Sequence, residues 1–538
     1  MIDVPFEASV DALHLAYARK ELRPVDVVRA HLNRVLENDL ATSGGTRPPF
    51  NAIQTIDPRA VDEALSLERT GERGGALYGI PVWLKDTIDV EGLPTTCGNA
   101  GLRESIAKTD ARLVKNLREQ GAIILGKTCL TELGAGPSGF SSAAGRTGNA
   151  YDPRNTPGGS SSGSAVAVSL DFGTLAVGID DCESITTPAA HNGCVGFRPT
   201  SGVVDREGLA AFAVSDTSPG PITRSVADAA TMLDALVSSD GTSSRKFRNS
   251  VADASIDGIR LGVVESVGRF TMAHEECFVS GGGTSLARSL ETMRSAGAKV
   301  VDKVRLDGFL FERLSELEYH NTFVEHLRRR ACAPRTPFGV YVSSLRFREL
   351  ILREPDSWWR LVPFKLPNIH ERAYRKVVIH NRALVTTLMD RLEIDALVGT
   401  TSRLLSTIAT LAQLPHLTVP AALVHVEETE FVRPPNWHHG TMRPVGISFL
   451  GRPGADEDVL RIGAAFERSR GPRVPPPRAL AAASASSDVG EIEAFQVAKR
   501  AIGEQTSSLC QFDGEVLTRP TWEEFARIVH GAASLTAP

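Results

Sequence analysis

Apolar residues recur at helical spacing over residues 8–37, through Leu13, Ala16, Leu22, Val25, Val28, Leu32 and Val35, and Pro24 is placed to open a second helix near Val25. A further helix is predicted over 57–70. The texture then changes. GIPVWLKDTIDV (79–90) is a short apolar run entering a charged turn, and DARLVKNLREQGAIILGKT (110–128) reads as a helix stopped near Gly121, followed by the buried strand AIIL. Strand character returns at 258–266, 394–401, 414–423 and 444–451. Helices are predicted near Ser164, over 223–237 and 457–468, and through much of 305–385. Helices alternating with buried strands specify an α/β class, a mixed twisted β-sheet surrounded by helices.

At 538 residues the chain is long enough for one large α/β enzyme domain. The linker-like VPPPR (474–478) and the Ala/Ser run after it predict a domain over 1–478. Residues 479–538 then form a C-terminal extension of short helical patterns (490–504, 520–530), dispensable for folding of the core but able to dock on it or on a second copy in a homodimer. With 59 Lys+Arg against 64 Asp+Glu the net charge is −5, which argues against nucleic acid as a partner. No apolar run approaches 18 residues, so no spanning helix and no membrane partner is expected. Seven scattered cysteines without a CxxC pair fit neither a disulfide framework nor a zinc ribbon, and the amino terminus lacks an apolar signal core. A cytoplasmic location is the expectation.

Several short motifs are weak. GAGPSG (134–139) matches GxGxxG, but contains Pro137 and lacks the strand and helix that a dinucleotide site needs. Gly159, Ser161 and Gly163 match the GxSxG elbow, yet Pro157 and Gly158 stand where a strand should lead in. His438-His439 has no third metal ligand at helical spacing. The aromatics of DSWWRLVPF (356–364) suit packing or pocket lining.

A stronger signal comes from three blocks in order: GIPVWLKDTIDVEGLPTT (79–96), TPGGSSSGSAVAV (156–168) and GIDDCESITTPAAHNGCVGFRPTSGVV (178–204). Together with LGKTCLTE, GPITRSVADAA and PVGISFLGRP they resemble the amidase signature family over about residues 8–468. The intervals of 75 residues from Lys85 to Ser160 and 24 from Ser160 to Ser184 look like the family's. The resemblance implies a Ser-cisSer-Lys amidohydrolase that cleaves a small-molecule carboxamide through an acyl-serine, with no cofactor and no metal. Ser184 would be the nucleophile, Ser160 the proton relay across a cis peptide bond, and Lys85 the base. A lysine is a base only when neutral, so burial must lower its pKa by roughly 2–3 units from about 10.4. Gly158, Gly159 and Gly163 would give the loop room, with Ser161 in support. The backbone N–H groups of Asp181, Cys182, Glu183 and Ser184 would hold the oxyanion. Residues 305–440 are expected to build the pocket.

The chain departs from the family at Glu183, where glycine is usual, at Thr186, where arginine is common, and at Ser162. If residue 183 needs a positive φ, its Cβ costs roughly 1 kcal/mol. A carboxylate about 5 Å from the oxyanion opposes it by about 3 kcal/mol at an effective dielectric near 20. The alternatives left open are an amide-forming or acyl-transfer enzyme on the same fold, the amidase subunit of a tRNA-dependent amidotransferase, which would need partner subunits and against which Glu183 and the long tail argue, and a catalytically impaired scaffold.

Overall fold

The computed structural model describes residues 4–40, 49–70, 74–134, 136–210, 216–237, 246–272, 282–311, 369–425, 441–477, 489–512 and 515–518. Two helices open the chain, α1 (Val10–Ala18) and α2 (Pro24–Asn38). The Ser9 side chain caps α1 by accepting from Ala12 N–H, and Pro24 occupies the first turn of α2, where its missing N–H costs nothing. The expected split of 8–37 into two helices therefore holds. β1 (Ile53–Ile56), α3 (Ala60–Thr70), β2 (Pro81–Lys85), α4 (Arg112–Glu119) and β3 (Ile123–Thr128) follow. β2 and β3 are buried along their whole length, as strands covered on both faces must be.

A small hairpin, β4 (Phe140–Ser141) and β5 (Gly145–Arg146), precedes the small-residue helix α5 (Ser162–Ser169). Next come β6 (Leu175–Asp180), the short α6 (Thr186–His191), β7 (Val195–Arg198), β8 (Ser218–Thr223) and α7 (Val226–Val237). The later strands are β9 (Arg260–Val267), β10 (Phe270–Thr271), β11 (Lys299–Leu306), β12 (Ala396–Thr400), β13 (His416–His425) and β14 (Met442–Leu450). Among the described residues, twelve strands form one mixed sheet in the order β1-β3-β2-β6-β8-β7-β13-β14-β12-β9-β10, with β11 also on β9. β3, β2 and β6 run parallel, while β8 returns antiparallel to β6. The fold class is the one the alternation predicts.

Several strands were not expected from the sequence, among them β1, β6, β7 and β8. Pro219 and Pro221 lie inside β8, opposite Ile179 and Val177 of β6, and proline ordinarily argues against an inner strand. The predicted helical stretch 305–385 lies largely outside the described residues, as do DSWWRLVPF, His438-His439 and the pattern at 520–530; the helix Ile369–Arg391 is its described part.

The extension contributes to the core. The helix Val489–Ser508 puts Ile492 and Phe495 into the apolar cluster formed by Val25, Val28, Ile53 and Trp83. Its Lys499, 2% exposed, donates to Asn51 Oδ1 and to Cys129 Sγ at 3.5 Å. Burial pushes the nearby Asp39 carboxyl up from its ordinary range and the Lys499 charge pulls it back. Asp39 in turn accepts from Ala52 N–H at 2.6 Å and Ile53 N–H at 3.2 Å, pinning the start of β1. A segment expected to be dispensable thus supplies a buried cation. Lys499→Met should lower the melting temperature by the equivalent of about 1–3 kcal/mol, the loss of a charged hydrogen bond to buried groups. An unchanged melting curve would show that the helix is not anchored through this amine.

Candidate active site

The carboxyl ends of the parallel strands β3, β2 and β6 lie side by side, and in α/β sheets the loops leaving such ends form the reactive crevice. Lys85 is the last residue of β2 and is 1% exposed. Its Nζ lies 2.7 Å from Ser160 Oγ and donates to the Ile179 carbonyl at 3.0 Å. Burial lowers its pKa to about 8, against the opposing charges of Asp181, Asp180 and the Cys97 thiol. A lysine so dry holds its proton loosely, because water no longer solvates the ammonium. The neighbouring Asp86 is not its partner. Asp86 pairs with the equally buried Lys127 at 3.1 Å and accepts from Thr96 N–H and O–H.

The Gly/Ser-rich segment is an ordered loop leading into α5. The Gly159–Ser160 peptide bond is cis. The Ser160 carbonyl accepts from Thr131 N–H at 3.1 Å, and Ser161 N–H donates to the Ser184 carbonyl at 3.1 Å, which joins this loop to the turn after β6. Ser161 Oγ lies 3.3 Å from both the carbonyl and the N–H of Ile179. It braces the loop against β6. Gly158, Gly159 and Gly163 are each held by close approach or by backbone conformation, and a Cβ at Gly159 would stand 2.6 Å from Thr131 Oγ1. Gly158 has φ +70°, and a Cβ at Gly163 would stand 2.2 Å from the Ala52 carbonyl oxygen and 2.6 Å from Cys129 N. GAGPSG opens no helix; its first residue ends a short turn, Glu132–Gly134, and the β4–β5 hairpin follows.

Ser184 lies in the turn between β6 and α6 and is buried, at 6% exposure. The device that shapes this turn was missed in the sequence. Asp180 Oδ2 accepts from Ile185 N–H at 2.8 Å, while Arg198 Nη1 donates to both the carbonyl and Oδ1 of Asp180 at 2.8 Å. Both side chains are fully buried, and Arg198 Nη2 also donates to the Asp216 carbonyl. An arginine inside the apolar strand VGFR is the signal that could have revealed it, since such a residue is buried only when paired.

The residues on either side of Ser184 are held as follows. Asp181 Oδ1 accepts from Thr217 Oγ1 at 2.5 Å. Cys182 is fixed by the helix Arg403–Leu411, through Thr410 Oγ1 to its carbonyl at 3.4 Å and Thr407 near its sulfur. Thr186, where the family commonly has arginine, packs its hydroxyl 3.2 Å from Ser406 Oγ. Glu183 is half-buried, and its φ is not in the left-handed region. The backbone-strain expectation for Glu183 is thereby corrected: the turn opens directly into α6, with Thr187 N–H donating to the Glu183 carbonyl at 3.0 Å, so no glycine conformation is needed. The Glu183 carboxylate lies back along α6 and accepts from Thr187 Oγ1 at 3.3 Å.

This arrangement has relatives. The family model described as Amidase matches residues 34–311, just over half of the chain. A glutamyl-tRNA(Gln) amidotransferase subunit from Geobacter sulfurreducens is 37% identical over 313 residues, covering 55% of this chain and 60% of that protein. Its counterpart from Acidothermus cellulolyticus is 39% identical over 257 residues, 46% of this chain and 50% of its own length. The chain thus spans about half to three-fifths of the length of these two curated relatives. The native peptide amidase of Stenotrophomonas maltophilia superposes with a TM-score of 0.70 at 26% identity, covering 88% of this chain and 99% of that one. An amidase family protein from Bacillus anthracis gives 0.73 at 25% identity, over 88% and 92%. With its buried lysine, its cis-serine loop and its Ser184 turn, the chain belongs to the amidase signature family.

Proposed function

We propose that this chain hydrolyses a small-molecule carboxamide through an acyl-Ser184 intermediate, with Ser160 as proton relay and Lys85 as base. The observation that carries the reading is the 2.7 Å contact between Lys85 Nζ and Ser160 Oγ in a dry setting, on a loop bonded to the Ser184 carbonyl. Neutral Lys85 accepts the Ser160 hydroxyl proton as Ser160 accepts that of Ser184. The Ser184 oxygen bonds to the amide carbon, and the carbonyl oxygen takes the negative charge. Backbone N–H groups of Asp181, Cys182, Glu183 and Ser184 would meet that charge, at about 3 kcal/mol for a well-aimed donor. The ammonium of Lys85 then returns its proton through Ser160 to the leaving amine, and water releases the acid by the same route. No cofactor enters the scheme.

A second reading, amide formation or acyl transfer, is favoured by the 37% identity to part of an amidotransferase. In it an amine outcompetes water at the acyl-serine, and product analysis with added amine separates the two.

The test is acylation by a fluorophosphonate probe. Ser184→Ala should abolish it, by roughly 10⁴-fold or more. Ser161→Ala loses only hydrogen bonds to β6 and should slow it about fivefold. Complete loss in Ser161→Ala with Ser184→Ala still reactive would reverse the assignment.

The pH dependence follows from the base. Lys85 works when unprotonated, so the acylation rate should climb about tenfold per pH unit on the acid side and level off above about pH 8. A limb centred near pH 10, the range of an exposed lysine, would contradict a buried base.

With the strain argument removed, any brake at Glu183 is purely electrostatic. Glu183→Gln, which keeps the shape and removes the charge, should raise the acylation rate by about tenfold or less, because the half-exposed carboxylate is partly screened. An unchanged rate would mean that the carboxylate does not act on the oxyanion.

A further inference from the structure

The helix Val489–Ser508 lies outside the amidase match at residues 34–311, yet it reaches the segment that holds the Ser160 loop. Lys499 is the point of contact. Its buried amine donates to Asn51 Oδ1 and to Cys129 Sγ at 3.5 Å. Gln496, one turn earlier, donates to the Ile56 carbonyl at 3.3 Å, which seats the helix on β1. Asn51 is a junction in its own right. Its Nδ2 donates to the carbonyls of Ala144 at 2.7 Å and Arg146 at 2.9 Å. Cys129 directly follows β3. Its N–H donates to the Ala52 carbonyl at 2.8 Å, and its carbonyl accepts from Gly163 N–H at 2.9 Å. Two residues on, Thr131 N–H donates to the Ser160 carbonyl at 3.1 Å. The ammonium therefore ties residue 51 to residue 129, and the segment 129–131 makes two of the backbone bonds that hold the loop.

We infer that the C-terminal helix is a working part of the catalytic apparatus, with Lys499 as a positioning residue that fixes the Ser160 loop against Lys85. This rests on the reading of Lys85 as the base. A buried lysine is tolerated only where its hydrogen bonds are made, so the amine holds the helix in one register against its two acceptors. The relay needs Ser160 Oγ at 2.7 Å from Lys85 Nζ, and a misplacement of about 1 Å costs roughly a hundredfold in rate. Without the amine, Asn51 Oδ1 and Cys129 Sγ lose a donor and the segment 129–131 is free to shift. The loop follows through Gly163 and Ser160, the relay contact lengthens, and water gains access to Lys85. The titratable groups facing Lys499 are Asp39 and the Cys129 thiol. Those acting on Lys85 are Asp181, Asp180 and Cys97, and no change at position 499 alters them. Lys499 thus works on the relay through the backbone rather than through its charge.

The experiment is the pH profile of fluorophosphonate acylation for the full chain and for Lys499→Met, Lys499→Gln, Val264→Ala and Lys85→Met, each assayed well below its own melting temperature. Val264 is buried in a separate apolar cluster with Val267 and Leu306, so Val264→Ala reports what destabilisation alone does. Lys499→Met should lower the high-pH plateau by roughly tenfold and move the acid limb up by about one unit, as Ser160 recedes and Lys85 regains water. Lys499→Gln keeps an N–H donor and should shift both by less; it decides the test by the same two readouts if Lys499→Met does not fold. Val264→Ala should lower the melting temperature and leave the profile alone. If folded Lys499→Met behaves like Val264→Ala while Lys85→Met is inactive, Lys499 is merely structural and the base stands. Equal limb shifts in Lys499→Met and Lys499→Gln with an unchanged plateau would show a through-space effect of charge and overturn the positioning role. Lys85→Met acylating at the full rate overturns the base itself, and the role of Lys499 with it.

Discussion

The site depends on keeping one amine dry. Lys85 ends a strand buried on both faces, and its ammonium loses the water that would stabilise it. Several elements exclude that water: β3 and β6 flank it, and the Ser160 loop closes over it. The loop keeps its path because Gly163 fits against the Ala52 carbonyl and the Cys129 amide, where no side chain would. Moving any of these elements would let water back to the amine and return it toward an ordinary lysine.

A second constraint is the control of negative charge around that amine. Asp86, Asp180, Asp181 and Glu183 cluster on or near the same end of the sheet, each with its own arrangement. Asp86 is paired with Lys127 and Asp180 with Arg198, so their charges serve local structure. Asp181 is held by Thr217, and Glu183 by Thr187 one helical turn on. Buried pairs of this kind contribute little net stability but fix geometry, since breaking one strands its partner. The Asp180–Arg198 pair turns that rigidity into the shape of the Ser184 turn.

Much of this was legible in the sequence, for identifiable reasons. Lys85 stood out because a lysine closing an apolar strand needs a reason to be there. The helices α1, α2 and α4 were legible from their period and stop signals, and β2 and β3 from short apolar runs. β8 was hidden because Pro219 and Pro221 read as loop residues. The Asp180–Arg198 pair joins residues 18 apart through side chains alone, and no local pattern encodes that contact. Glu183 was misread in its backbone for a related reason: a residue that is usually glycine suggests a left-handed turn, whereas here the chain runs straight into α6. The docking of Lys499 beside Asn51 spans 448 residues, beyond any periodicity argument.

The central claim is that Ser184, Ser160 and Lys85 act as one proton-transfer chain. The most direct measurement is a crystal structure of the phosphonylated protein grown above pH 8. The account predicts phosphorus bonded to Ser184 Oγ, its anionic oxygen turned toward the N–H groups of residues 181–184, and Ser160 Oγ still within hydrogen-bond distance of Lys85 Nζ. Phosphorus on Ser160 or Ser161, or a Lys85 amine turned away into solvent, would contradict it.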